Sequence, residues 1–288
     1  MLSQTAPLRD NSALYDEVAA ARVSLETTEL GRLAPQVKSA YRSYGTSLST
    51  TTVPMPILAD EKGEDASLLR GNWDVLGRVA FQSVRTEVLQ ASLGICCLCG
   101  YNSAGQVDHY LPKKWFPEFS IFTDNLIAAC GRCNNRKRTR YKRTGRASPA
   151  FVHPYIHRLP AERFLVCRIE VDEAVIVSFD VEQSESMDSD IFSLLKYHFD
   201  LLDLAEFYRR DAVGLMDEQR NDYYASYRYD GAREVRKTLL RQARSAQAWH
   251  ASNRRMNHWK PVLLGALAES DDFCDGGFVR LGPELPVA

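Results

Sequence analysis

No stretch of this chain approaches the roughly 18 consecutive apolar residues that a membrane-spanning helix needs. The first residues, Met1 to Pro7, lack a basic region followed by an apolar run. They do not read as a signal peptide, and a cytoplasmic protein is the expectation. An excess of charge of one sign is also missing. Lys plus Arg is 36, Asp plus Glu is 37, and the net charge is −1. A surface that is basic all round is excluded, so any nucleic-acid contact must come from a local patch. Proline and glycine are sparse, 12 and 16 of 288, and 45% of the residues are hydrophobic, which excludes a mainly disordered chain. An even cysteine set is lacking too. The count is seven, which argues against a disulfide framework. There are no internal repeats.

Five of the seven cysteines fall between Cys96 and Cys133. Cys96 and Cys99 form one C-x-x-C, and Cys130 and Cys133 form another. Two such knuckles predict a tetrahedral four-cysteine zinc site. Cys97 offers a C-x-C alternative to Cys96, a rarer spacing, and is read as an inward-packed neighbour. The insert between the knuckles carries Asp108-His109-Tyr110-Leu111-Pro112-Lys113 and Asn125-Leu126. Asn134 and Lys137 follow the second knuckle directly.

The flanks are read more coarsely. Residues 1–45 show apolar residues at helical steps: Leu14, Val18, Ala21, Leu25, Leu30, Leu33, Val37 and Tyr41. Ser43 to Pro56 reads as a linker, and Trp73 to Leu93 as a helix ended by Gly94. Phe164 to Phe179 predicts a β-hairpin turning at Asp172-Glu173. Asp180 to Asp190 is an acidic loop. Helices are predicted over Ile191–Leu204 and Leu204–Met216, with a long basic helix over Glu234–Trp259 and a loosely packed tail from Glu269. His198, His250 and His258 are read as structural, and His153 and His157 as fixing a turn. The expected fold class is α+β, mainly helical. The expected domains are a helical region (1–93), a small zinc-stapled core (94–147) and a hairpin-plus-helices region (148–288).

The run C-x-x-C, D-H-x-x-P-K, N-L, C-x-x-C-N-x-x-K resembles the zinc-stapled branch of the HNH (ββα-metal) endonuclease family. Phe116-Pro117 after D-H-Y-L-P-K, and His153-Pro154-Tyr155 after the core, are similar to features of bacterial defence proteins such as the HNH subunit of Septu-type antiphage systems. The resemblance spans about 45 residues and implies a ββα core: a hairpin carrying Asp108 and His109, a strand near Leu126–Ala129, and a helix from near Asn134. It implies His109 as the general base, Asp108 and Asn134 as ligands of a catalytic Mg²⁺ or Mn²⁺, and Asn125 as the residue bracing the loop. Oxygen donors suit those hard cations. Asn134 in place of a histidine predicts poor support by softer metals.

Asp108 and His109 are neighbours on an expected strand and so face opposite sides unless it bends. A basic run follows the second knuckle, with Arg132, Arg136, Lys137, Arg138, Arg140, Lys142, Arg143 and Arg146 and no acid. Together with Lys113 it is expected to grip a phosphate backbone, with Lys137 near a helix start. The predicted activity is metal-dependent DNA cleavage in antiphage defence or restriction. RNA cleavage and a catalytically silent nucleic-acid-binding module are the alternatives. A near-neutral enzyme of this resemblance suggests a controlling partner such as an ATPase.

Overall fold

The computed structural model describes residues 3–252 and 257–281, with the side chain of Ser252 left aside. Helices take 55% of the chain and the strands form two small antiparallel sheets. The fold class is α+β and mainly helical, as the sequence predicts.

The chain forms two compact units, residues 1–159 with 193–198, and residues 160–192 with 199–288. The first opens with α1 (Asn11–Ala20) and α2 (Ser24–Ser47), then α3 (Glu64–Val75) and α4 (Gln82–Ala91). Asp10 caps α1 through its side chain, accepting from the Ser12 and Ala13 amides. The apolar stripe read in the sequence is buried at Leu14, Val18, Leu30, Leu33, Val37 and Tyr41, but Leu25 is exposed. Two boundaries differ from expectation. Helix α2 runs to Ser47, into the expected linker. The helix expected over Trp73–Leu93 is two helices, with Trp73 near the end of α3 and a 3₁₀ turn at Val79–Phe81 between them.

The core of this unit is β1 (Gln106–His109) paired antiparallel with β2 (Leu126–Ala129), then the short α5 (Gly131–Lys137). Asp108 faces Ile127 across the ladder and His109 faces Leu126. The helix starts three residues before Asn134. Cys130 is its N-cap, and Lys137 is its last residue.

The N-terminal helices and this core pack together in the first unit. The loop between the strands is too apolar to stand alone. Phe119 and Phe122 are buried against Tyr41 and Tyr44 of α2, with the Tyr41 and Phe122 rings stacked at 4.3 Å. Ser120 Oγ donates to the Leu69 carbonyl of α3 at 2.6 Å.

Beside this interface Glu118 is 1% exposed, and its Oε1 accepts from the Ile57 amide at 3.1 Å. Burial pushes its carboxyl up to about 7. The folded chain then keeps a proton that an ordinary carboxyl near 4.5 releases on unfolding. Stability should be greatest at the acid end of this window and fall as pH rises towards 7. Glu118→Gln should flatten that slope and stabilise the chain at about pH 8, by an amount on the order of 3 kcal/mol. Thermal melts between about pH 5.5 and 8 test this; an unaltered slope would refute it.

The second unit holds the hairpin β3 (Leu165–Val171) and β4 (Val175–Val181), turning at Asp172–Ala174 as expected. After α6 (Ser189–Leu201), whose Ser193–His198 stretch belongs to the first unit, come α7 (Leu204–Glu218) and α8 (Arg220–Ser252). Helix α8 breaks at Asp230-Gly231, where Gly231 takes φ 57°. The expected single helix over Glu234–Trp259 is therefore replaced by the second arm of α8 and by α9 (Trp259–Glu269); residues 253–256 lie outside the described residues. The expected loose tail is packed at α10 (Asp271–Cys274), where Phe273, Cys274 and Phe278 are buried; its part beyond residue 281 lies outside the described residues.

Candidate metal and nuclease-like site

The sulfurs of Cys96, Cys99, Cys130 and Cys133 lie within 4.8 Å of one another, and all four residues are buried. A tetrahedral zinc with bonds of about 2.3 Å needs sulfurs about 3.8 Å apart, so the cluster fits a zinc ion. Local backbone geometry makes it. The chain reverses after Cys96, where the Gly100 amide donates to the Cys96 carbonyl at 2.8 Å and Gly100 takes φ 76°. The second pair sits at the N-cap and first turn of α5. Cys97 is outside the cluster. Its Sγ donates to Gln4 Oε1 at 3.0 Å and its amide to the Ala128 carbonyl at 2.9 Å, tying the first knuckle to β2.

Strand alternation puts Val107 and His109 on the buried face of β1, with Gln106 and Asp108 on the other. His109 Nε2 lies 2.8 Å from the Ser120 carbonyl. A carbonyl only accepts, so Nε2 carries the proton and Nδ1 keeps its lone pair. Nδ1 has no hydrogen-bond partner among the described residues. The ring stands edge-to-face with Trp73 of α3, centroids 4.5 Å apart. Burial lowers the imidazole pKa to about 3; the Ser120 bond opposes this and the charges of Lys113 and Lys137 add to it.

Asn125 spans the loop. Its Oδ1 accepts from the Leu111 amide at 2.8 Å, and its Nδ2 donates to the carbonyls of Leu111 at 3.0 Å and Phe119 at 3.3 Å. Asn125 thus ties Leu111 to Phe119, the residue before Ser120, whose carbonyl meets His109. The sequence reading missed its support. The Tyr44 hydroxyl donates to Asn125 Oδ1 at 2.9 Å and lies 3.2 Å from His153 Nε2, while His153 Nδ1 accepts from the Tyr155 amide at 3.1 Å. Tyr155 in turn donates to the Leu126 carbonyl at 2.9 Å. His153 is thus more than a turn former: the H-P-Y element buttresses Asn125 and β2. His198 accepts from the Val152 amide at 3.0 Å and contacts the Leu98 carbonyl at 2.8 Å, a structural role as expected.

Asp108 Oδ1 accepts from the His109 amide at 2.8 Å, and Oδ2 lies 3.0 Å from Lys137 Nζ. Lys137 is fully buried, and its Nζ also donates to the His109 carbonyl at 2.7 Å. This corrects its expected place at a helix start facing phosphate. Seven residues of helix carry it back under β1, where it joins Asp108 and the His109 backbone. Asn134 Nδ2 donates to Gln106 Oε1 at 2.8 Å, leaving Oδ1 without a partner among the described residues. Asp108 keeps 13% side-chain exposure. One carboxylate and one amide oxygen, next to an ammonium, make a sparse donor set for a hard cation.

The basic run is split. Arg138, Arg140, Lys142 and Arg146 are exposed, and Arg132 and Arg136 are half-buried. Arg143 is buried, donates to Ser193 Oγ at 2.9 Å and stacks over Tyr197, so it does not face a nucleic-acid backbone as expected. Lys113 lies half-buried over Trp73.

Protein ea31 of Escherichia phage lambda is 27% identical to this chain over 198 residues, 66% of the chain and 67% of that protein. No family model matches the chain. No solved structure matches it. Among the described residues, no helix is long and apolar enough to cross a membrane.

Proposed function

We propose that the chain is a zinc-stapled HNH-type endonuclease that hydrolyses phosphodiester bonds in DNA. The observation that carries this reading is the single-tautomer His109, with Nε2 tied to the Ser120 carbonyl and Nδ1 left to accept a proton. A neutral imidazole with one ring nitrogen held and the other open can take a proton from a water that attacks a phosphate.

In this reading His109 takes the proton from the attacking water at Nδ1. Asn125, backed by Tyr44, keeps the imidazole in place through the loop. Asp108 and Asn134 would hold Mg²⁺ or Mn²⁺. When bound, that ion supplies charge neutralisation at the phosphate and stabilises the leaving oxygen. Lys137 orients Asp108 from beneath. The four cysteines hold both ends of the insert together through zinc, and so set the spacing of β1 and α5. Arg138, Arg140, Lys142 and Arg146 contribute sequence-independent contacts to the backbone. Antiphage defence or restriction, with a controlling ATPase partner, is the biological setting that the resemblance favours.

A second reading rests on the Lys137–Asp108 pair, which gives the carboxylate a structural partner. In it the core binds nucleic acid without cutting. Incubating the purified chain with supercoiled plasmid and with RNA decides between them, in Mg²⁺, in Mn²⁺ and in chelator. Nicked or linear DNA that depends on the metal is expected. Binding without cleavage in every metal selects the second reading, and cleavage of RNA alone moves the substrate class.

A further inference from the structure

We infer that Lys113 and Arg85, gathered on the ring of Trp73, form a phosphate clamp beside His109. The helices of residues 1–93 would then supply part of the substrate site rather than scaffold alone. The inference rests on the nuclease reading above and adds a subsite to it.

Trp73 comes from α3, Arg85 from α4, and Lys113 from the loop after β1. Arg85 Cζ lies 5.7 Å from the Trp73 ring centroid and Lys113 Nζ lies 5.6 Å from it. The same ring meets the His109 imidazole edge-to-face at 4.5 Å. Three segments distant in sequence thus bring two cations to one ring that touches the candidate base.

Neither cation has an ion-pair partner among the described residues. On α4, the Glu87 carboxylate is already taken by Arg9, which donates to it at 2.9 and 2.7 Å. Around Lys113, Asp74 and Arg70 act only as through-space charges of opposite sign, and Arg70 donates instead to the Glu61 carbonyl at 2.6 Å. An aromatic face holds a cation by its quadrupole and leaves the N–H donors unspent. Donors held this way fit a group with several oxygen acceptors and a full negative charge, which a backbone phosphate is. Their position beside His109 places that phosphate in the strand being cut, next to the scissile bond.

The test uses the full zinc-loaded chain and a duplex DNA oligonucleotide with no Mg²⁺ or Mn²⁺ added, with binding read by anisotropy over a range of salt. Arg85→Ala and Lys113→Gln should each weaken binding and lower the slope of log K against log salt by about 0.9. Arg32→Ala removes a surface cation paired to Glu29 and Asp65 and should leave the slope alone. Trp73→Phe should keep most of the affinity, while Trp73→Leu should fall to the level of a chain carrying both Arg85→Ala and Lys113→Gln. In cleavage assays Arg85→Ala should act mainly through KM. If wild type cuts DNA and both cation variants keep its slope and KM, the clamp is overturned and the nuclease reading stands. If wild type neither binds nor cuts nucleic acid, both fall together.

Discussion

Replacing His109 with Ala is expected to reduce plasmid cleavage by about 10²–10⁴-fold, the usual contribution of a general base. Zinc content and DNA binding should stay close to wild type. The reason is how little else His109 supports. Among the described residues its side chain makes one hydrogen bond, to the Ser120 carbonyl, and one ring contact, to Trp73. The Lys137 bond uses its backbone carbonyl, which alanine retains. Asp108 also keeps its amide partner, since the His109 N–H is backbone. The cavity left beside Trp73 should cost about 1–3 kcal/mol and a few degrees in Tm. His109→Asn fills more of that space and should recover stability without recovering cleavage. Asp108→Ala should fail differently. It strips the buried Lys137 of its counter-charge, so the loss of cleavage should come with a marked loss of stability. Wild-type cutting by His109→Ala would remove the proton-transfer role from His109.

Cys133→Ser is expected to lose bound zinc and to unfold the first unit or drive it into aggregates. Zinc binding is itself folding free energy, about 10–16 kcal/mol in small zinc-stapled units, against a typical total stability of about 5–15 kcal/mol. Here the cysteines join the first knuckle to the β2–α5 junction, and β1 and its two site residues lie between. Losing one thiolate therefore loosens the frame that holds His109 and Asp108. Cys97→Ser is the control. Its sulfur lies outside the cluster, bonded to Gln4, so one zinc per chain should remain. Elemental analysis and thermal melts of the three proteins check this. Zinc-free but soluble wild-type protein would defeat the staple.

The cluster of four cysteines that could hold a zinc ion was legible because a metal knuckle is a local pattern: two thiolates on one tight turn need only C-x-x-C spacing. The β1–β2 pair, the hairpin after Phe164 and the mainly helical class were legible for a similar reason, since alternation and helical periodicity are short-range signals. Asn125 was legible through the motif. The basic run was over-read. Charge is visible in a sequence but direction is not: two of the eight cations are interior, Lys137 at the end of α5 and Arg143 against Ser193 and Tyr197.

By itself the sequence determined the chemistry available: four thiolates in two knuckles, an adjacent Asp108 and His109, and a cationic stretch on a chain of net charge −1. What only the tertiary structure decided is which of those groups are exposed and what holds them. The Ser120 carbonyl sets the tautomer of His109 from eleven residues away. Tyr44 supports Asn125 across 81 residues, and Trp73 meets His109 from a helix that reads as scaffold. Such contacts have no sequence signature. They arise because the apolar loop between β1 and β2 cannot bury Phe119 and Phe122 by itself. It folds against the N-terminal helices, and that burial brings their side chains to the site.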